Sequence, residues 1–268
     1  MSYQICIIGC GWLGFPLAKT LIENGYDING TTTSKNKIEV LKDANINPFL
    51  IHFSSERILG DITSCLLHCK TLIINIPPGL AKHPEHNYVQ KMKNLISHIE
   101  ISSIKNVIYI GSTSVYDDNE NFPIITEDSP TSNSKNALQL LKVEALFRNN
   151  KNFKTTILRF SGLYGEDRHP AKFLSGRKQL KNANAPVNLI HQNDCIAILL
   201  AIIKQNIWNT LLNASTVPHP TKNEYYNSVC NRLEIPIPGF EKNEKSKGKI
   251  INSEKLVCLL NYKFKVKL

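Results

Sequence analysis

The amino-acid sequence predicts an α/β fold, in which a doubly wound parallel sheet carries helices on both faces. Three observations support this class. Apolar runs flanked by turn residues alternate with longer amphipathic stretches along most of the chain. A glycine-rich turn near the N-terminus joins the first apolar run to the first amphipathic stretch. The chain has 268 residues, of which 42% are hydrophobic and 20% charged, so it can bury a full core.

The glycine-rich turn, Gly9-Cys10-Gly11-Trp12-Leu13-Gly14, lies between a predicted strand, Gln4 to Ile8, and a predicted helix, Leu13 to Asn24. In this spacing Gly9 permits the tight turn, Gly11 lets the backbone approach a pyrophosphate, and Gly14 lets the helix pack on the strand. We therefore predict a Rossmann-type dinucleotide site that includes Trp12 and Leu13. The alternative is a strand-turn-helix that uses glycine only for packing.

The second strand, Asp27 to Thr32, ends roughly 20 residues after the turn, as a dinucleotide site requires. An NAD-selective site usually has an acid at this end, which holds the ribose 2′-hydroxyl. Here the chain has hydroxyls and cations that suit a 2′-phosphate: Thr32, Thr33, Ser34, Lys35 and Lys37. We therefore expect NADP as the cofactor, with NAD as the alternative. These residues also fit a turn and the N-cap of the next helix.

Further strands end at the same predicted edge of the sheet. A third strand covers Asn47 to Phe53, and a fourth, Thr71 to Asn75, ends in Ile76-Pro77-Pro78-Gly79. Because ligands bind at the carboxyl ends of such strands, we expect Pro77 to border the cofactor. After a helix over about 85–102, strand Asn106 to Gly111 leads into Ser112-Thr113-Ser114, whose hydroxyls suit either a substrate oxygen or a simple turn.

The later part of the chain continues the alternation of helices and strands. A polar surface loop, 117–135, precedes the next elements. These are a helix over 135–149, a strand over 155–160, an apolar helix after Asp194, a strand near 210–214 and a tail helix over 223–232. We expect a dinucleotide domain over 1–165 and a substrate lobe over 166–268, with about 187–214 returning to the core.

Composition limits the location and the partners. No stretch approaches the roughly 20 apolar residues that span a bilayer, and no signal peptide is evident, so we expect a cytoplasmic protein without membrane contact. Seven cysteines at irregular spacing indicate reduced thiols. Cys65-x-x-His68-Cys69 has no second ligand pair, so we predict packed helix cysteines and no metal.

The net charge of +10 is one that a nucleic-acid-binding protein could have, so the distribution of the charges matters. Residues 241–268 hold eight lysines and three glutamates, spread among apolar residues without clustered arginine. We expect a solvated lysine surface that helps to attract an anionic small molecule, and no nucleic-acid partner.

Taken together, these segments resemble the extended short-chain dehydrogenase/reductase superfamily, in its branch of NAD(P)-dependent nucleotide-sugar epimerases and dehydratases. The resemblance rests on the glycine turn and on three later segments in the family's order. They are Gly111-Ser112-Thr113-Ser114-Val115-Tyr116, Arg159-Phe160-Ser161-Gly162-Leu163-Tyr164-Gly165 and Asn188-Leu189-Ile190-His191-Gln192-Asn193-Asp194. In detail the chain is similar to an atypical, shorter subgroup with Pro-Pro-Gly after the fourth strand and a small C-terminal lobe.

By this resemblance Ser112 occupies the position of the family's catalytic Ser/Thr. The family's main acid/base is a Tyr-x-x-x-Lys pair on the next helix, but none of the nine tyrosines here has lysine four residues later. Alignment through Glu144 puts Asn136 and Leu140 at those positions, and neither side chain exchanges a proton near neutral pH.

A proton donor must therefore come from elsewhere if the protein is an enzyme. Tyr164, His169 and His191 are the candidates by residue type and predicted edge position. Each has a structural alternative: a packed ring for Tyr164, a helix cap for His169, and a buried strand-end histidine for His191.

Two functions follow from these observations. The first is an NADP-dependent oxidoreductase or epimerase-like enzyme that acts on a carbonyl or sugar-like small molecule, with Ser112, Tyr164 and His169 as catalytic candidates. The second is a non-catalytic NAD(P)-binding sensor or scaffold protein of the same fold.

Overall fold

The computed structural model describes residues 3–80, 83, 85–241 and 245–268. Its strands are β1 (Tyr3–Ile8), β2 (Tyr26–Thr32), β3 (Asn47–Leu50), β4 (His52–Phe53), β5 (Ile58–Leu59), β6 (Thr71–Ile74), β7 (Asn106–Ser112), β8 (Ile124–Ile125), β9 (Lys154–Phe160), β10 (Gly162–Tyr164), β11 (Leu189–His191), β12 (Leu211–Ala214) and β13 (Ile250–Ile251). Its helices are α1 (Gly14–Glu23), α2 (Lys37–Asp43), α3 (Ile62–Leu66), α4 (Tyr88–Glu100), α5 (Lys135–Arg148), α6 (Pro170–Leu174), α7 (Gln192–Lys204), α8 (Lys222–Arg232) and α9 (Glu254–Leu260).

Seven strands form one sheet in the order β12-β9-β7-β6-β1-β2-β3. Strand β1 pairs in parallel with β2 on one side and with β6 on the other, and β6 pairs in parallel with β7. The non-sequential order requires crossover connections, which the helices supply. This is the Rossmann-type α/β fold that the sequence predicts.

Strand β1 explains why the core forms here. Ile5, Cys6, Ile7 and Ile8 are all fully buried, as expected for a central parallel strand covered on both faces. Helix α1 turns Leu17, Ala18 and Leu21 inward, which is the spacing of one helix face. The alternating strand and helix patterns of the sequence therefore correspond to buried strands and one-sided helices.

The chain divides into two compact units, which interleave along the sequence. Unit 1 comprises 1–111, 133–158 and 199–211, and unit 2 comprises 112–132, 159–198 and 212–268. The sequence also predicts that late segments return to the core, but it places 112–132 and 159–165 with the dinucleotide domain. The boundary at 165 stays a prediction.

Unit 2 has its own apolar cluster. It combines Tyr164, Ala171, Val187, Leu189, Tyr225, Tyr226, Val229 and Cys230. Strand β8 pairs with β13, which gives the predicted surface loop 117–135 a strand that pairs with the C-terminal tail. The carboxylate of Asp194 also binds the tail, because it accepts hydrogen bonds from the Tyr262 hydroxyl and from the backbone N–H groups of Lys265 and Val266. The tail is therefore an integral part of unit 2.

No helix among the described residues has the length and apolar character needed to cross a membrane.

Candidate functional site

The glycine turn of unit 1 is held by neighbouring strands. Gly9 has φ +102°, and a Cβ atom there would collide with the carbonyl oxygen of Asn75. The Gly9 N–H donates to Thr31 Oγ1 at 2.9 Å, and Asn75 Nδ2 donates to the Gly9 carbonyl oxygen at 3.0 Å. Only glycine fits this backbone, as the sequence pattern indicated.

Gly14 and Gly11 differ in their surroundings. A Cβ atom on Gly14 would collide with the Gly9 carbonyl oxygen and lie 3.1 Å from Asn75 Nδ2, so the helix start packs directly on the turn. A Cβ atom on Gly11 would meet no described atom within 4 Å. The fold itself therefore requires glycine at 9 and 14, whereas the space in front of Gly11 is open to a ligand.

The start of α1 is suited to an anion. Its N-cap residue, Leu13, makes no side-chain cap, and the first turn contains no acidic residue. Exposed N–H groups and the helix dipole make such an end a site for phosphate. Trp12 is half-buried and Leu13 is buried beside it. The residues of this turn fit the pyrophosphate of a dinucleotide.

The end of β2 forms the turn that the sequence allowed, and its role toward a cofactor stays a prediction. Thr32 is buried, and its hydroxyl accepts the Ser34 N–H at 3.1 Å, which is a turn-forming contact. Thr33 and Lys37 are exposed, and Lys37 begins α2. Hydroxyl and ammonium groups therefore remain available at this strand end. Pro77, just after β6, is also exposed.

Unit 2 contains a cavity of about 350 Å³. Three serines contribute to its wall: Ser112, at the end of β7, Ser114, and Ser161, directly after β9. Ser112 Oγ accepts the Ser114 N–H at 3.1 Å, so its own proton remains free to donate. Ser161 is 5% exposed, and its hydroxyl has no hydrogen-bond partner among the described residues.

Three lysines bring positive charge to the same cavity. Lys249 Nζ donates to the Tyr116 carbonyl oxygen at 2.8 Å and to Asp118 Oδ1 at 2.9 Å, while Lys247 lies 3.8 Å from Glu120. Lys222 is the first residue of helix α8, and its ammonium group forms no hydrogen bond or ion pair with a described residue. The cavity therefore combines hydroxyl donors with an excess of cations, which suits an anionic, hydroxyl-bearing molecule.

Buried polar groups support this region. The Tyr116 hydroxyl accepts a hydrogen bond from Arg159 Nη1 and donates to Asn213 Oδ1 at 3.1 Å. Arg159 also lies over the Tyr116 ring, 5.0 Å from its centroid. These contacts connect the segments that follow β7 and end β9 and β12, and so they help to position Ser112 and Ser161.

Tyr164, His169 and His191 are not among the described residues that line the cavity. They form an aromatic group, in which the Tyr164 ring meets those of His169 and His191 edge-on at 5.3 and 5.0 Å. His169 caps α6 by accepting the Ala171 N–H, and His191 accepts the Asn193 N–H. Burial lowers the pKa of His169 and raises that of Tyr164 to about 12. Each residue has the structural role that the sequence allowed as its alternative, and a catalytic role stays a prediction.

The cysteines of the suggested metal motif do not form a ligand group with His68. Cys65 and Cys69 are buried, and Cys65 Sγ lies 3.5 Å from Cys6 Sγ, while His68 is exposed. Burial raises the pKa of the Cys10 and Cys69 thiols to about 12. Another group, His83, Glu85 and His86, brings three ligand atoms within 4.8 Å of one another at the exposed surface, and we assign no ion to it.

Several residues of these sites were not singled out from the sequence. Thr31 and Asn75 hold the glycine turn, and Lys222 and Tyr226 line the cavity. Asn75 could have been found because it ends a predicted strand at the cofactor edge. Ser161 was quoted only within a longer motif. Lys222 and Tyr226 lie on a helix of the tail and carried no signal of their own.

The fold and the glycine turn define a dinucleotide-binding α/β protein. Residues 5–205 match the model of the NAD dependent epimerase/dehydratase family, and the chain belongs to this family.

Similar proteins match this chain over nearly its whole length. Protein YeeZ of Escherichia coli K12 is 27% identical over 264 residues, which cover 97% of this chain and 95% of YeeZ. Two solved structures share the fold. MoeE5 in complex with UDP-glucose and NAD has a TM-score of 0.80 at 16% identity, with 99% of this chain and 94% of that chain covered. UDP-N-acetylglucosamine 4-epimerase from Bacillus cereus has a TM-score of 0.77 at 18% identity, with 99% and 92% covered.

Proposed function

We propose that the protein is an NADP-dependent oxidoreductase or epimerase-like enzyme that acts on a carbonyl or sugar-like small molecule. The observation that carries this proposal is the glycine turn, in which Gly9 and Gly14 are enclosed and Gly11 faces open space. That arrangement has a clear use if a pyrophosphate lies against the backbone at Gly11. The family membership supports the same cofactor chemistry.

The cofactor would be held mainly by backbone groups of unit 1. Gly9, Gly11 and Gly14 shape the turn, and the start of α1, with Trp12 and Leu13, faces the pyrophosphate. A bound dinucleotide would supply or accept a hydride.

The choice of NADP rests on the end of β2. No acidic residue follows Thr32 within this turn, where an NAD-selective site would bind the ribose 2′-hydroxyl. Thr33, Ser34, Lys35 and Lys37 instead provide hydroxyls and positive charge for a 2′-phosphate. NAD remains the alternative, since the family is described as NAD dependent.

The substrate would occupy the cavity of unit 2. Its lysines favour an anionic group, and its serine hydroxyls favour a molecule rich in oxygen. Nucleotide sugars have both properties, and MoeE5, which shares the fold, forms complexes with UDP-glucose and with UDP-glucuronic acid. Ser112 would donate its hydroxyl proton in a hydrogen bond to the reacting oxygen, because the Ser114 N–H already occupies one of its lone pairs.

The second candidate function is a non-catalytic NAD(P)-binding sensor or scaffold. It is favoured by the absence of any Tyr-x-x-x-Lys sequence in the chain. Such a protein would keep the glycine turn and would not depend on Ser112.

The seven cysteines are all free thiols among the described residues, including the close pair Cys6 and Cys65. Reduced thiols are usual in a reducing compartment, so we propose a cytoplasmic location.

One experiment separates these functions. Purified protein is given NADPH or NADH with a panel of aldehydes, ketones and nucleotide sugars, and cofactor affinity is measured by calorimetry. Gly11→Val should weaken cofactor binding by ~10²-fold or more without changing the melting temperature, because its side chain fills the space for the pyrophosphate. Ser112→Ala should keep cofactor affinity and lower turnover by ~10²-fold.

The outcomes are distinct. Loss of cofactor binding in Gly11→Val without any turnover by the wild type would identify the sensor. Cofactor affinity that is insensitive to Gly11→Val would exclude both functions. Equal affinity for NADP(H) and NAD(H), unchanged in a Lys35→Ala, Lys37→Ala double variant, would exclude the NADP preference.

A further inference from the structure

Reduction of a carbonyl group needs a proton as well as a hydride. The chain has no Tyr-x-x-x-Lys sequence to supply it, and the three candidates named from the sequence do not line the cavity. We therefore consider the proton-bearing side chains on the described cavity wall as the source of this proton.

The titratable groups of the wall are Asp118, Lys222, Tyr226, Lys247 and Lys249. Three of them already have ionic partners, since Lys249 binds Asp118 and Lys247 lies near Glu120. Lys222 and Tyr226 remain. They are four positions apart on α8, so they lie on the same face of that helix.

The surroundings of Tyr226 are those of a neutral donor. Its side chain is 8% exposed, its ring meets that of Tyr225 edge-on at 5.3 Å, and it belongs to the apolar cluster of unit 2. Burial raises the pKa of Tyr226 to about 12, so its hydroxyl is protonated at neutral pH. Tyr226 lines the cavity, and its hydroxyl forms no hydrogen bond with a described residue, so it is available to a ligand there.

We propose that Tyr226 is the proton donor of the reaction, and that Lys222 anchors the anionic part of the same substrate. This inference rests on the proposed enzymatic function. The resemblance would place the proton donor on the helix after β7, whereas this inference places it on α8.

Proton transfer from Tyr226 accompanies reduction of the carbonyl carbon. The carbonyl carbon gains a hydride, which a bound reduced nicotinamide cofactor would supply as it becomes oxidised, and the π electron pair of the C=O bond moves to the oxygen. The O–H bond of Tyr226 breaks while a new O–H bond forms on the substrate, which leaves as an alcohol. The phenolate of Tyr226 then recovers a proton from water. Ser112 keeps its own proton and only donates a hydrogen bond to the reacting oxygen.

The test compares two neighbouring tyrosines. Tyr226→Phe removes the hydroxyl that we assign to proton transfer. Tyr225→Phe removes an adjacent hydroxyl from the same cluster, which lies 3.1 Å from His169 Nε2. We expect Tyr226→Phe to lower kcat by ~10²-fold or more, with KM and cofactor affinity changed less than ~5-fold, since general acid catalysis contributes on this scale. Tyr225→Phe should lower kcat by less than ~3-fold.

Lys222→Met provides a contrast within the same helix. It should raise KM by ~10-fold or more and leave kcat within ~3-fold, because it removes binding and not proton transfer. Calorimetry with the panel compound of highest kcat/KM should show the same loss of affinity in Lys222→Met and none of that size in Tyr226→Phe.

The possible failures differ. If the wild type turns over and Tyr226→Phe keeps its kcat, the inference is wrong and the proposed function stands. Equal losses of kcat in the two tyrosine variants would assign the effect to packing and would also overturn the inference. If the wild type transfers no hydride to any compound of the panel, the proposed function and the inference fall together.

Discussion

In the glycine turn of unit 1 the polar groups form hydrogen bonds with neighbouring residues. In the cavity of unit 2 several polar groups have no hydrogen-bond partner among the described residues. The Gly9 N–H binds Thr31, and the Gly9 carbonyl oxygen binds Asn75. In the cavity, Ser161 is buried with an unpaired hydroxyl. The turn is therefore built before any ligand arrives, while the cavity keeps hydrogen-bonding capacity for a ligand.

The difference in hydrogen bonding between the two regions affects the stability of the fold. A paired polar group adds modestly to stability, but a buried unpaired one costs about 1–3 kcal/mol. The protein therefore gains stability at the turn and loses some at the cavity, as is common at ligand sites. Substitutions of the enclosed residues that build the turn should therefore mainly reduce stability, whereas substitutions on the cavity wall should mainly reduce function.

The largest effect is expected at Gly14. In Gly14→Val the new side chain collides with the Gly9 carbonyl oxygen, and the start of α1 must move away from β1. We expect a loss of more than about 3 kcal/mol in the free energy of unfolding, by analogy with overpacked cores. Urea denaturation measures it, with Gly11→Val as the matched control that should unfold like the wild type. Similar midpoints for the two variants would contradict the enclosed geometry of Gly14.

A smaller loss is expected at Thr31. Thr31→Val is nearly isosteric but removes the acceptor of the Gly9 N–H in a residue that is 2% exposed. The unpaired N–H should cost about 1–3 kcal/mol of unfolding free energy. Thr31→Ser retains the hydroxyl and separates this loss from that of the methyl group. If Thr31→Val were as stable as the wild type and Thr31→Ser were not, the contribution of Thr31 to stability would come from packing and not from hydrogen bonding.

The smallest effect on stability is expected at Ser161. Ser161→Ala removes a hydroxyl that has no described partner, so the unfolding free energy should stay within about 0.5 kcal/mol of the wild type or rise. Substrate affinity, measured by calorimetry, should fall in the same variant. A clear loss of stability without any change in substrate affinity would show that the Ser161 hydroxyl stabilises the fold and does not bind the substrate.

Much of unit 1 could be predicted because its signals are local. Strand β1, helix α1 and strand β2 follow one another within about 30 residues, and each shows its own periodicity. The predicted bounds differ from the observed ones mainly at the ends: the helix expected over 85–102 covers Tyr88–Glu100. Short elements such as β8 and β13 were missed because each has two residues and only their mutual pairing makes them strands.

The site of unit 2 could be predicted only in part. Ser112 was recognised because it ends a strand and belongs to a motif. Lys222 and Tyr226 were not, because a lysine and a tyrosine four positions apart on an amphipathic helix are ordinary surface and core residues until their neighbours are known. Tyr164, His169 and His191 were selected by residue type, but their rings pack on one another.

The linear order of residues was enough to predict the α/β class and the glycine turn. Their signals are local, because each strand, helix and turn has its own pattern of apolar and turn residues. The cavity depends on five separate segments, 112–118, 161–162, 185–189, 222–226 and 247–249, which the tertiary fold brings together. Whether a hydroxyl is paired, exposed or buried is a property of that assembly, because hydrogen bonding and desolvation are set by the atoms nearby in space and not by those nearby in sequence.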